Sequence, residues 1–170
     1  MRKLPVFAFT LLILAFTSGC AFSLKFTTGD TEAYKDKSIT VDVFQSFATL
    51  SPSTLSQSFT EALRDIYIQQ SKMNLLESDG DVYVEGSITG YDVRPVAVTS
   101  EEVAASNRLT ITVKVKVTNA IKPKDNFEQT FSRFADFDAS QDLSTVEDEL
   151  ITEITDQLTQ DIFNRTLGDW

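Results

Sequence analysis

The chain has 170 residues, with 15 basic and 25 acidic side chains, a net charge of −10 at pH 7, one cysteine and no histidine. Such acidity excludes general nucleic-acid binding, which depends on many contacts between cationic side chains and phosphates. Without histidine there is no Ser-His-Asp triad and the commonest metal ligand is missing, and one cysteine cannot form an internal disulfide. Phosphate-binding glycine motifs are also lacking. We therefore expect a protein that is not an enzyme and holds no metal or cofactor.

The first twenty residues are typical of an export signal. Arg2 and Lys3 precede a mainly apolar run over residues 4–16, which three small residues follow. This order predicts a secretory signal peptide over residues 1–19 that is removed. The run is shorter than the ~20 residues that a membrane-spanning helix needs. Loss of two cations would change the net charge from −10 to −12.

Cys20 follows the predicted cleavage site directly and resembles the cysteine of a bacterial lipobox, although Thr17 stands where that motif prefers an aliphatic residue. The resemblance implies acylation of the Cys20 thiol and of the new amino terminus. Two or more acyl chains would give stable membrane attachment. The alternative is an ordinary cleaved signal followed by a chance cysteine. We expect residues 20–37 to form a tether and residues 38–170 to form one domain of ordinary size.

The domain begins with a predicted strand and a predicted helix. Ile39, Val41 and Val43 alternate with polar residues, which indicates a half-buried strand. The helix begins after a Ser-Pro-Ser-Thr segment at residues 51–54 that suits a helix start. Its apolar residues recur at helical spacing on one face: Leu55, Phe59, Ala62, Leu63 and Ile66.

Three further strands and a second helix follow. A strand begins at Val82, and Gly86 and Gly90 on one of its faces predict a bulge or the close approach of another element. Residues 95–107 form a loop, after which apolar residues alternate with Thr and Lys over residues 109–118, as expected for an antiparallel strand covered on one side. In the fourth strand, over residues 127–137, the spacing of the phenylalanines predicts a bulge.

The closing helix has a predicted capping box, Ser144 with Glu147. It carries one long apolar stripe: Val146, Leu150, Ile151, Ile154, Leu158, Ile162 and Phe163. The order is strand-helix-strand-strand-strand-helix, and each element has one apolar side. The sequence therefore predicts an α+β domain of two layers, with two helices on one face of a four-stranded, mainly antiparallel sheet.

Two groups of charged residues are candidate functional sites. Arg94, Arg108, Lys114 and Lys116 concentrate positive charge that could contact phosphates or carboxylates of a ligand. The alternative is that they only solvate an outer sheet face, which is the more common role. Paired carboxylates occur near Asp136 and Glu147, but positions at a strand end and a helix start favour a surface role over glycosidase-type catalysis.

Three segments resemble the LptE family of lipopolysaccharide-assembly lipoproteins: NRLTITVKVKVTN at 107–119, NFEQTFSRFADFD at 126–138 and VEDELITEITDQLTQDIFN at 146–164. SPSTLSQSFTEALRD at 51–65 and EGSITGYDVRPVA at 85–97 fit the same pattern. Together with the lipobox, the resemblance covers nearly the whole mature chain. It implies a lipid-anchored subunit on the periplasmic side of the outer membrane, acting as plug and assembly partner inside an LptD-type β-barrel. It also implies that the loop at 95–107 lies in the barrel and that lipopolysaccharide is a possible ligand. The alternative is a stand-alone envelope lipoprotein that binds a lipid or glycan.

Overall fold

A computed structural model of the chain describes residues 34–96 and 106–168. Six strands, two α-helices and one 3-10 turn lie within these ranges. In chain order they are β1 (Ser38–Val41), β2 (Gln45–Ser46), α1 (Leu55–Gln70), β3 (Asn74–Leu75), β4 (Val82–Val96), β5 (Ser106–Asn119), the 3-10 turn (Pro123–Asp125), β6 (Phe127–Asp138) and α2 (Leu143–Leu167). No helix within the described ranges is long and apolar enough to span a membrane.

The strands form one mixed sheet in the order β3-β1-β4-β5-β6, and β2 pairs with β4 beyond the end of β1. The long strands β4, β5 and β6 are antiparallel, whereas β1, β2 and β3 pair in parallel. Parallel pairing of β1 with β4 requires a crossover, which α1 supplies. The predicted α+β fold is confirmed, with two short strands added to the four that the alternating pattern indicates.

Both helices pack on the same face of the sheet, α1 over its β1–β3 side and α2 over β5 and β6. Every second residue of β5 from Leu109 to Val117 is buried beneath them. The helices meet each other where the Tyr67 ring of α1 packs on Phe163 and the Tyr67 hydroxyl donates to Thr166 Oγ1. This buried setting raises the pKa of Tyr67, because burial disfavours the phenolate. One apolar core therefore fills the space between the layers.

The segment between β1 and β2, residues 42–44, is bonded to α1 by one row of helix side chains. Ser56 donates to the Phe44 carbonyl, Thr60 Oγ1 accepts from the Phe44 amide at 3.0 Å, and Arg64 donates twice to the Val41 carbonyl. These side chains are four residues apart and so lie above one another on the helix. They satisfy backbone groups that the interruption of the strand leaves without a sheet partner.

Gly86 and Gly90 confirm the prediction made from their positions. A Cβ atom on Gly86 would lie 2.5 Å from the fully buried Phe44 ring and 2.3 Å from the Lys114 carbonyl, so only glycine fits. Gly90 lies where the register between β4 and β5 shifts by one residue, which is a bulge. Gly86 leaves room for the Phe44 ring, which comes from the segment between β1 and β2, and Gly90 lies at the bulge of β4.

Two local predictions are wrong. No register shift occurs along β6; Phe131 and Phe137 face the helices and Phe134 points outward, so the strand is regular. The capping box at Ser144 does not form, because the N-cap of α2 is Asp142 and no side chain caps it. Glu147 instead accepts a hydrogen bond from the Tyr91 hydroxyl of β4.

The packed domain includes residues before β1. The side chain of Tyr34 is 1% exposed, and its hydroxyl accepts a hydrogen bond from Asn119 Nδ2 at 2.8 Å. Tyr34 thus lies beside the end of β5, although a tether is expected for residues up to 37. Cys20 and the signal segment lie outside the described residues.

Candidate functional site

The outer face of the sheet, away from both helices, carries the predicted ligand-binding residues. Lys114 and Lys116 project from β5 on the side opposite its buried valines. In the strand register, Lys116 lies opposite Glu85 of β4 and Glu128 of β6. Side chains opposite each other in an antiparallel sheet are close enough to interact, so each ammonium group has carboxylates within reach.

Both lysines form ion pairs across the strands. Lys116 Nζ lies 2.6 Å from Glu85 Oε1, and Lys114 Nζ lies 2.5 Å from Glu128 Oε1. The hydrogen bond to Glu85 raises the pKa of Lys116, and that from Lys114 lowers the pKa of Glu128. All four side chains are well exposed, so solvent screens the pairs and each contributes little to stability.

A shallow cleft of about 350 Å³ lies over these pairs, and its other lining residues are Asp42, Val43, Gly86 and Ser87. Asp42 accepts a hydrogen bond from the Tyr83 hydroxyl, which raises the pKa of Tyr83 to about 12. The cleft therefore combines two ammonium groups with three carboxylates. It is a mixed charged surface rather than a positive one.

The two arginines lie at the far end of the same face. Arg108 forms a bidentate pair with Asp136 of β6, at 2.7 and 2.8 Å, and its guanidinium carbon lies 3.6 Å from the centre of the Phe134 ring. The hydrogen bond with Arg108 lowers the pKa of Asp136. Arg94 pairs with Asp92 and lies opposite Arg108 in the register.

The structure thus divides the four predicted residues into two groups. Lys114 lies six positions after Arg108 along β5, which places the groups about 20 Å apart. Each cation has an acidic partner on its own or a neighbouring strand, and the residue pattern alone did not indicate these pairs. Three of the partners lie on outward-facing positions of β4 or β6, so strand pairing would have indicated them: Glu85, Glu128 and Asp136.

Comparisons with known proteins bear on the whole domain. The sequence model of the family LptE, described as lipopolysaccharide-assembly, matches residues 37–166. The chain belongs to the LptE family. The match includes all six strands, α1 and all of α2 except its last residue, Leu167. No curated protein matches the sequence at a significant level.

Solved structures share the fold of this LptE-family chain at low sequence identity. A minor lipoprotein from Acinetobacter baumannii is 14% identical, with a TM-score of 0.51, over 76% of this chain and 91% of that one. A protein from Xanthomonas campestris is 10% identical, with a TM-score of 0.53, over 79% of this chain and 85% of that one. These similarities concern the fold.

The two carboxylates considered as catalytic candidates in this LptE-family chain, Asp136 and Glu147, both bind side chains of the domain. Glu147 holds the Tyr91 hydroxyl, which is partly buried between β4 and α2, and Asp136 holds Arg108. Within residues 34–96 and 106–168, no group of three metal-ligating side chains comes together. Of the loop at 95–107, residues 97–105 lie outside the described part of the chain.

Proposed function

We propose that this lipopolysaccharide-assembly lipoprotein is a non-catalytic, lipid-anchored subunit on the periplasmic side of the outer membrane. It acts there as plug and assembly partner within an LptD-type β-barrel. The observation that carries the proposal is the family match over residues 37–166, which spans the sheet and both helices together.

The surface of the domain is consistent with a plug. Its outer sheet face is polar and its charges are paired, so that it suits a water-filled interior. The core lies between the sheet and the helices. A lipid anchor on Cys20 would add effective concentration near a barrel in the same membrane.

Direct contact with lipopolysaccharide is a second part of the proposal. Its phosphates would have to replace the carboxylate partners of Lys114, Lys116, Arg94 and Arg108. Because an exposed ion pair is screened by solvent and contributes little to stability, such an exchange costs little. The acidic total opposes it, since a net negative protein repels phosphates at long range. A scaffold role is therefore primary, and ligand contact is secondary.

Co-purification tests the main proposal. The full-length chain with a C-terminal affinity tag, extracted from membranes in mild detergent, should bring down a large β-barrel protein in near-equal amount. Photo-crosslinking from Asn107 in intact cells should label the same barrel. A solitary monomer with no adduct would contradict the proposal and favour the stand-alone lipoprotein that binds a lipid or glycan.

A lipopolysaccharide-binding assay tests the second part. Replacing Lys114 and Lys116 by Glu should weaken binding of purified lipopolysaccharide by about tenfold or more, since two charge-assisted contacts are lost. Lys124→Glu in the 3-10 turn is the control, because it also reverses a lysine charge but lies away from the outer face. Equal binding by all variants would remove the lysines from the site. Mass spectrometry of the native protein checks acylation at Cys20.

A further inference from the structure

The connection between β2 and α1 carries the two most exposed large apolar side chains of the described residues. Phe47 is 75% exposed and Leu50 is 79% exposed. Single exposed apolar residues are common, but apolar side chains that stand out together from a folded surface often mark a contact with a membrane or another protein. The turn that holds both, residues 47–51, is named the apolar turn and is a candidate contact surface.

Hydrogen bonds fix the apolar turn at both of its ends. The Phe47 amide donates to the Ile88 carbonyl of β4 at 2.9 Å. Ser51 donates to the Ala48 carbonyl through its amide at 3.4 Å and through its hydroxyl at 3.0 Å, which closes a β-turn with Leu50 inside it. An ordered backbone therefore presents Phe47 and Leu50, so that little conformational entropy would be lost on contact.

The apolar turn also lies in the longest uncharged stretch of the described residues, since no acidic or basic residue occurs between Asp42 and Glu61. The chain as a whole is acidic, and an acidic surface is repelled by anionic lipid headgroups. An uncharged turn avoids this repulsion and the cost of moving a charge out of water. The other exposed large apolar side chains that the structure describes each have a charged neighbour: Val43 beside Asp42, Ile68 four residues from Arg64 and from Lys72, Leu76 beside Glu77, Val93 between Asp92 and Arg94, and Phe134 beneath Arg108.

The length of chain before Tyr34 allows Cys20 and the apolar turn to reach the same bilayer. Tyr34 lies at the end of the sheet where Val82 pairs with Asn119. The turn bonds to Ile88, six positions further along β4, and so lies about 20 Å from that end. Residues 20–33 are 14 residues, which span up to about 48 Å when extended. This reach is more than twice the distance to the turn.

We propose that the apolar turn rests on the lipid bilayer that holds the anchor, with Phe47 and Leu50 at the boundary between headgroups and acyl chains. Apolar side chains buried at this depth add to membrane attachment. They would also fix which side of the domain faces the membrane, which a flexible tether alone does not. The inference goes beyond the plug role, because it concerns the lipoprotein before it joins a barrel. From the proposed function it takes only the anchor at Cys20.

Tryptophan fluorescence of the acylated full-length protein tests this contact. Trp170→Phe removes the only native tryptophan, and Phe47→Trp then places a reporter on the turn. In vesicles of phosphatidylethanolamine and phosphatidylglycerol, lipids brominated in the acyl chains should quench this reporter by about twofold or more, because they would lie beside the ring. Ile68→Trp on α1 is the matched control, an exposed apolar position with charged neighbours, and its emission should not change.

Three results would overturn the inference. The reporter at position 47 could show no quenching by brominated lipid. Position 68 could be quenched as strongly as position 47. The reporter at position 47 could respond to a co-purified barrel but not to brominated lipid, which would identify a protein as the occupant.

A charge placed on the turn should abolish the contact. Leu50→Asp in the protein that carries Phe47→Trp should reduce quenching to the level of the control, because a carboxylate resists transfer out of water. Ile68→Asp adds the same charge on α1 and should leave quenching unchanged. Thermal unfolding compares the variants with their parent; if Leu50→Asp fails to fold, Leu50→Gln replaces it and should also reduce quenching. Full quenching in the folded Leu50 variant would overturn the inference.

Quenching and barrel recovery are independent readouts. Quenching of the turn reporter without any co-purifying barrel would support the membrane contact and contradict the plug role. Recovery of a barrel without quenching would contradict the membrane contact and support the plug role. A native protein without acyl groups on Cys20 would remove the anchor and overturn the inference together with that part of the proposed function.

Discussion

The two sides of the sheet differ in how their strands are built: one side consists of β1, β2 and β3, and the other consists of β6. On one side, β1 stops at Val41, β2 is two residues long and β3 is also two residues long. Past β2, the exposed part of β4 carries a bulge and Pro95. On the other side, β6 is straight, long and regular. The first side is interrupted, and side chains of α1 fill the interruption. The second side is intact, and no described segment pairs with its outer edge.

This difference separates a side of the sheet that depends on buried contacts from a side that depends on regular strand pairing. The interrupted side, defined by β1, β2, β3 and the residues between them, depends on α1 and on Gly86 to satisfy its backbone and admit Phe44. The straight side needs only β5 and α2 to hold it. Substitutions should therefore be costly on the interrupted side and mild on the straight side. Four predictions test this, in order of decreasing effect.

Gly86→Ala should cause the largest loss of stability. The added Cβ would overlap the Phe44 ring and the Lys114 carbonyl, and overpacking of this kind costs about 3 kcal/mol. Chemical denaturation of the purified domain measures the change in free energy of unfolding. Gly90→Ala is the matched control, because its nearest neighbour is the Thr112 side chain at 3.1 Å. Equal losses at both glycines would contradict the close approach of Phe44.

Thr60→Val should have the next largest effect. It removes the acceptor of the buried Phe44 amide while keeping the size of the side chain, and a buried donor left without a partner costs about 1–3 kcal/mol. Thr152→Val on α2 removes only a hydroxyl bonded to its own helix at Asp148, and it should be near neutral. A neutral Thr60→Val in the same denaturation assay would mean that α1 does not support the segment between β1 and β2.

Alkaline pH should weaken the interrupted side through Tyr83. Its folded pKa of about 12 exceeds the ordinary value of 10.0, mainly because its hydroxyl donates to Asp42. The unfolded chain therefore loses this proton first, and stability falls as pH rises from about 10 to 12. Ultraviolet titration of the phenolate in the native protein and in Tyr83→Phe identifies the group. Ionisation of Tyr83 at its ordinary pKa would show that the hydrogen bond to Asp42 is not formed.

Arg108→Gln should have the smallest effect on stability and a clear effect on the straight side. The carboxylate of Asp136 loses its bidentate partner, so its lowered pKa should return toward the ordinary value. The stability that this pair contributes, present above the ordinary carboxyl pKa, is lost as pH falls through the native pKa. NMR titration of the Asp136 carboxyl measures the shift. Arg94→Gln, at the opposite position on β4, should leave that titration unchanged.

Sequence periodicity predicted the elements whose apolar residues recur at a regular spacing, every second residue in a strand or every three to four residues in a helix. β5 alternates without exception, both helices carry one apolar stripe, and Gly86 and Gly90 are out of place in a strand for reasons that the structure shows. These signals are local, so they survive in the sequence alone. The layer arrangement followed from them.

Features that depend on distant partners could not be predicted in this way. Glu147 has the spacing of a capping residue, but Tyr91 offers it a hydroxyl from another element. The strands β2 and β3 are too short to show a period. Tyr34 lies in a segment without a pattern, and only the position of Asn119 explains its burial. The acidic partners of the four candidate cations required a strand register, which the sequence does not specify.

The position of Tyr34 shows at which end of the sheet the described N-terminal residues lie. Tyr34 packs beside Asn119, at the end of the sheet where β5 finishes, whereas residues 97–105 join β4 to β5 at the other end. β5 has 14 residues, and at 3.4 Å per residue the two ends are about 45 Å apart. The described chain therefore begins at the end of the sheet opposite Arg94 and Arg108. In a membrane-attached copy the sheet would act as a rigid spacer, and its length sets how far the paired strand ends Val96 and Ser106 lie from Tyr34.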